Sequence, residues 1–304
     1  MKEEDKFTRW IYLAVLAVIW GSSFILMKVG LKSFDPGQVA SLRLFVSWCA
    51  LFPLVIHRFK EVKKEKFRYI LATGLLGNGI PAFLFAIAQT NISSSLAGML
   101  NSLTPVFVVL IGYFLFKSVF KASQIIGVIT GITGAFALIL ISQKANVFSG
   151  NAWFGLLIVL ATICYAFSVT IIRNYLHHVD SVLITGFALF IAGIPSGIYL
   201  FTTDFIPRFS VYDDAWLSFI SVVALGLLST AFSTVLFNKL IKISNALYAS
   251  SVTYLIPIVA ILWGVLDGEV IHWKHILAML AILTGIYLIN FESIREMKKQ
   301  KLKN

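Results

Sequence analysis

Only 13% of the 304 residues carry charge, and acidic side chains number fourteen against twenty-five lysines and arginines. A soluble domain usually has about twice that share of charged residues, so a water-soluble fold is excluded. Cysteine is nearly absent. Cys49 and Cys164 both fall inside apolar runs, which supports neither a disulfide framework nor a thiolate metal cluster, and they read as small core residues. The five histidines, His57, His177, His178, His272 and His275, and all fourteen acidic residues lie in tails, in loops or at the ends of apolar segments. With no carboxylate or imidazole in the middle of such a segment, a proton antiporter that trades solute and proton on one buried acid lacks its central part. A site built for a multidrug cation lacks it too. The apolar segments also hold no zinc-protease helix, no paired aspartates and no serine with a buried lysine. The chain is therefore expected not to be an enzyme and to need no metal or cofactor. A net charge of +11 comes without an aromatic-interleaved basic face, so nucleic acid is not an expected partner.

What fills the chain is apolar: 59% hydrophobic residues and a mean hydropathy of +0.88. Charges collect in short clusters about one membrane helix apart, and the expected partner is a lipid bilayer. The pattern predicts ten spans, near 10–30, 38–57, 67–88, 92–114, 123–142, 152–173, 181–202, 215–240, 246–266 and 272–291. The N-terminal apolar run is too long for a signal-peptide core and is read as an uncleaved first span. Nineteen lysines and arginines fall on the side of the membrane that holds both termini and only five on the other, which places the termini in the cytoplasm. Residues 292–304 form a basic tail on that side. Trp10, Trp153, Trp216 and Trp273 fall at span ends, where aromatic anchoring is expected.

The chain also contains its own echo. Residues 93–116 return 152 positions later as residues 245–268, with Ala97 on Ala249, Pro105 on Pro257, Gly112 on Gly264 and polar Asn101 on polar Thr253. Asp35 matches Asp180, Gly74 and Phe85 match Gly226 and Phe237, and after a one-residue gap Thr133-Gly134 matches Thr284-Gly285. Five spans per half is an odd number, so the second copy starts from the opposite side of the membrane. The fold class is thus an all-α membrane protein of ten helices in two inverted five-helix repeats, 1–142 and 152–291. Inverted repeats commonly serve alternating access to a site between them.

Trp20-Gly21-Ser22-Ser23-Phe24 with Lys28, Arg43 in SLRLF, the two proline helices with their following glycines, and the ending Gly264 to Glu269 together resemble the EamA-type ten-helix transporters of the drug/metabolite transporter superfamily. The first repeat departs from that ending, because Lys117 stands where the glutamate would be. The resemblance covers nearly the whole chain and implies a carrier of small-molecule solutes without naming the cargo. The expected setting is a bacterial inner (plasma) membrane, as a monomer or homodimer.

Trp20, Asn78, Asn101, Thr104, Tyr165, Ser229, Ser233 and Thr253 lie within about two helical turns of the expected mid-membrane plane and are the candidate solute path. Trp20 and Tyr165 fall within one position of each other between repeats and suit an amphipathic metabolite, although bulky packing is an equal alternative. Pro105 and Pro257 are candidate hinges, each freeing a carbonyl one turn earlier, near Asn101 and Thr253. Arg43 is the one charge well inside a span. It either meets a carboxylate or phosphate of the solute, or pairs with helix-end carbonyls and snorkels outward; the second reading is preferred. Asp267 and Glu269 are candidate coupling groups, with a solvated loop face as the alternative. Gly127, Gly131 and Gly134 present small surfaces for close packing, within the chain or between two copies. The leading function is a permease or exporter of a small metabolite, amino acids or related carboxylates first, by facilitated transport or exchange. A carrier of phosphorylated or lipid-linked sugars, or a receptor on the same fold, are the alternatives.

Overall fold

The computed structural model describes residues 3–116, 121–144, 151–243 and 252–303, and the regular structure in them is entirely helical. Nine helices among these residues are long and apolar enough to span a bilayer: α1 (Thr8–Gly30), α2 (Pro36–Glu61), α3 (Lys64–Ala88), α4 (Ser94–Leu115), α5 (Ala122–Ser142), α6 (Gly155–Tyr175), α7 (Ser181–Thr202), α8 (Ala215–Leu240) and, after α9, α10 (Trp273–Phe291). The ninth in order, α9 (Val252–Leu266), is apolar but shorter. Its expected start at 246 lies outside the described residues, as do Lys117 and Ala249. The helix of α10 continues to Lys303, so the basic tail is a helical extension. The four belt tryptophans are all exposed on the bundle, as interfacial anchors should be.

Helix contacts come in sets that exchange the two halves. The counterpart pairs α2 with α7 and α5 with α10 pack on each other; α1 packs on α9 as α6 packs on α4, and α1 packs on α8 as α6 packs on α3. Glycine makes the closest of these approaches possible. A Cβ on Gly127 would stand 2.5 Å from the Gly285 carbonyl oxygen, and one on Gly285 the same distance from that of Gly127. The small face of α5 therefore joins helices of one chain across the repeat boundary.

Three of the helices depart from regular α geometry beside the centre. α4 breaks at Ser102-Leu103 and restarts at Thr104, so Pro105 sits in the first turn of a new segment (Thr104–Phe116) rather than at a kink. Proline is well suited there, because first-turn amides have no partner within the helix. α3 and α8 each contain a π-helical stretch, Leu75–Gly79 and Leu225–Phe232, and such stretches are frequent at functional sites.

Candidate functional site

A cavity of about 170 Å³ lies between the repeats, far above the ~10–15 Å³ that one water needs on the same measure. Most of its wall is built from repeat counterparts. Counting from the paired Asp35 and Asp180, Trp20 falls on Tyr165, Ser23 on Ser168, Phe24 on Val169 and Met27 on Ile172, and all eight line it. From α3 and α8 come Gly77 with Ser229, Asn78 with Thr230 and Phe85 with Phe237; from α4 and α9 come Asn101 with Thr253 and Thr104 with Ile256. The aromatic contacts follow the same twofold logic: Trp20 meets Phe237 edge-on at 5.0 Å, and Tyr165 stacks on Phe85 at 6.0 Å. The cavity therefore sits where the two repeats meet.

One pair differs in charge. Arg43 faces the cavity, and its counterpart position holds Ala188. The guanidinium donates from Nε to Thr230 Oγ1 at 2.6 Å and interacts with the Tyr165 hydroxyl, and among the described residues no carboxylate pairs with it. The preferred expectation, an outward snorkel, is not what the structure holds. The π-helical stretch of α8 turns Thr230 toward α2, and the cation follows this neutral partner into the wall. Among the described residues, the cavity wall contains no carboxylate or imidazole.

The structure brings together seven of the eight path candidates and leaves Ser233 out of the wall, fully buried. The reason is the same π-helical stretch. Four residues beyond Ser229 is one α-helical turn, but π winding in Leu225–Phe232 rotates the face, so Thr230 and Thr234 reach the cavity instead. The carbonyls that the prolines release are not left for a solute. Thr104 Oγ1 donates to the Asn101 carbonyl at 3.0 Å, and Ser102 Oγ of the first repeat donates to the Thr253 carbonyl of the second at 3.3 Å. Asn101 Oδ1, by contrast, is buried without a hydrogen-bond partner among the described residues. Trp20 is fixed by its indole N–H, which donates to the Ser229 carbonyl at 2.9 Å.

At the end away from the chain termini, here the far end, the cavity is roofed by Phe24, Met27 and Phe85, none more than 5% exposed. Their counterparts toward the termini, Val169, Ile172 and Phe237, are all partly exposed. Asp267 and Glu269 lie outside the cavity wall and beyond this roof. Lys28 Nζ stands 2.6 Å from Asp267 Oδ2 and 2.9 Å from Glu269 Oε1. Glu269 Oε1 also accepts from the Ser94 amide (2.9 Å) and hydroxyl (2.8 Å), and Oε2 from the Ser95 amide (3.1 Å). A carboxylate from the second repeat thus takes up free N–H groups at the start of α4, where the helix dipole favours negative charge. The solvated-loop alternative does not apply to Glu269, whose side chain is 4% exposed.

Burial opposes the Glu269 charge, but hydrogen bonds from Ser95, Lys28 and Ser94 outweigh it and hold the carboxyl below its ordinary value of 4.5. A depressed folded value means that the stabilisation is complete above the unfolded value and is lost as pH falls through the folded one. The charged groups facing it are Lys28 on α1 and Asp267 on its own loop; α4 presents only serines. The unfolding temperature of the protein minus that of Glu269→Gln should therefore stay constant from about pH 8 to 5 and shrink only below the ordinary carboxylate range.

Ten apolar helices among the described residues, around a central cavity lined by aromatic and polar side chains, define an integral membrane transporter of inverted-repeat type. The model of the EamA-like transporter family matches residues 8–140 and again 152–291, and the chain belongs to that family. It is 26% identical over 92% of its length to an uncharacterized transporter of Archaeoglobus fulgidus, covering 98% of that protein. It is 24% identical to a probable amino-acid metabolite efflux pump of Salmonella typhimurium, over 91% of this chain and 93% of the relative. An S-adenosylmethionine/S-adenosylhomocysteine transporter of Chlamydia muridarum is 25% identical over 94% and 93% of the two chains. A crystal structure of 16% identity superposes with a TM-score of 0.63 over 95% of this chain and 98% of the other, a likeness of fold.

Proposed function

We propose that the protein carries small metabolites bearing a carboxylate, amino acids first among them, across a bacterial inner membrane by alternating access of its two repeats, with both termini in the cytoplasm. The observation that carries this reading is Arg43, a cation without a counter-ion among the described residues, set on one side of a cavity whose wall is mostly built from repeat counterparts. A buried charge with only neutral partners is costly, and a solute carboxylate would relieve that cost. Asn101 Oδ1, without a partner among the described residues, offers an acceptor for a solute N–H, and the Trp20–Phe237 and Tyr165–Phe85 pairs offer flat apolar surface. The names of the Salmonella and Chlamydia relatives, both concerned with amino acids or their derivatives, support the same class. A phosphorylated or lipid-linked sugar would call for several cations, and Arg43 is the only charged residue among those described in the wall.

Without a titratable acid among the described residues of the wall, the mode we propose is facilitated transport or exchange. Purified protein in liposomes should show counterflow of labelled amino acids that is indifferent to an imposed pH gradient, and Asn101→Ala should lower it about tenfold, the weight of a hydrogen bond to a charged group. Exchange seen only with a gradient would sink the uncoupled mode. No exchange across a broad metabolite panel would sink the carrier reading in favour of a receptor.

A further inference from the structure

Building on that alternating-access reading, we infer that Glu269 is the gating residue of the far end: a one-sided latch that closes the cavity there and sets the protein's resting state. The latch joins three elements that must separate for the cavity to open outward. Glu269, on the loop after α9, holds Lys28 of α1 and the first two amides of α4. Behind it the same three helices meet through small residues: Gly21 of α1 against Val259 of α9, Gly98 of α4 against Ala260 of α9, and Gly264 of α9 against Ser95 of α4. Trp263 Nε1 adds a bond to Ser22 Oγ at 2.8 Å, and the roof residues lie directly beneath.

The repeat predicts what would close the other end, and the matching sequence positions there do not carry the same residues. Counting from Asp35 and Asp180, Lys28 falls on Arg173; at the offset of the proline helices, Glu269 falls on Lys117 and Ser94 on Ala246. In the sequence, two cations take the positions of the ion pair, and alanine takes that of Ser94. Exchanging the conformations of the repeats would seal the near end without a latch and would break the one at the far end. The far-closed state is therefore the lower in energy, in keeping with the buried roof and its partly exposed counterparts. A solute must offset the latch to reach the far side, so Glu269 governs the outward step without touching cargo.

The test reads accessibility and needs no known substrate. In a full chain with Cys49 and Cys164 replaced by serine, Ser23→Cys places a thiol in the cavity wall, and a membrane-impermeant maleimide is applied from either face of oriented vesicles. Glu269→Gln should speed far-side labelling about tenfold or more, as the loss of charge-assisted bonds predicts, while slowing near-side labelling. Labelling that rises from both faces would report general loosening and overturn the latch, as would far-side labelling equal to the parent. The charge swap Lys28→Glu with Glu269→Lys separates a helix cap from a simple ion pair. It should leave the far end open, because a cation cannot accept from the Ser94 and Ser95 amides; full restoration would overturn the cap. Counterflow measured on the same vesicles reports transport separately, so a failed latch with exchange intact is distinct from a protein that does not exchange.

Discussion

Arg43→Gln is expected to lower kcat/KM for carboxylate solutes at least about thirtyfold, mostly through KM, while the protein still folds. Truncating one partner of a desolvated charge pair costs about 2–5 kcal/mol, and each 1.4 kcal/mol is tenfold. Glutamine keeps much of the stem and a donor for Thr230 Oγ1, so the wall survives and the charge does not. Arg43→Lys should rescue little. Its ammonium lacks the planar fork that bonds Thr230 through Nε while leaving the terminal nitrogens for a carboxylate. Thr230→Val leaves the charge but frees its position, and a loss of a few fold, again in KM, is expected from one hydrogen bond. A normal KM in Arg43→Gln with only a lower unfolding temperature would return Arg43 to the structural role that its sequence position favours.

The architecture could be read from sequence because a bilayer imposes so few solutions. Once charge is sparse and clustered at helix spacing, the backbone must be helical, and the echo of Pro105 in Pro257 and of Asp35 in Asp180 forces the inverted halves. Most of the cavity followed from depth alone: Asn78, Asn101, Tyr165 and Thr253 are polar or amphipathic where such groups are costly. Phe85 and Phe237 went unassigned to the cavity although the repeat pairs them, since a phenylalanine in a membrane helix looks like ordinary packing; the pairing beside Asn78 and Thr230 was the available signal. Ser233 was misplaced because i and i+4 share a face only in an α-helix, and nothing in LGLLSTAF announces π winding. The hydroxyls that satisfy the proline-released carbonyls and the bonds of Glu269 depend on contacts between repeats. Sequence spacing does not encode those; only packing brings Ser102 to Thr253 and Ser94 to Glu269.

Gly264→Val is the substitution expected to open the far end most completely. A side chain there has nowhere to go: its Cβ would fall inside contact distance of both Ser95 Oγ and Glu269 Oε2. Either the carboxylate leaves the α4 amides, or α9 moves away from α4, and both break the latch. The expected result is far-side labelling of Ser23→Cys at least as fast as in Glu269→Gln, with a lower unfolding temperature, since overpacking alone costs about 1–3 kcal/mol and losing a cap adds about 1. Gly268, four residues on, provides the comparison. It has φ +82°, and a methyl group placed on its Cα would meet nothing within 4 Å, so Gly268→Ala should cost only the left-handed backbone strain of about 1–2 kcal/mol and leave labelling near the parent rate. Parental labelling in Gly264→Val would mean that the far end is closed by the apolar roof alone. Fast labelling in Gly264→Val with parental labelling in Gly268→Ala would localise closure to the contact between α9 and the start of α4, because a side chain at Gly264 meets that contact and one at Gly268 does not.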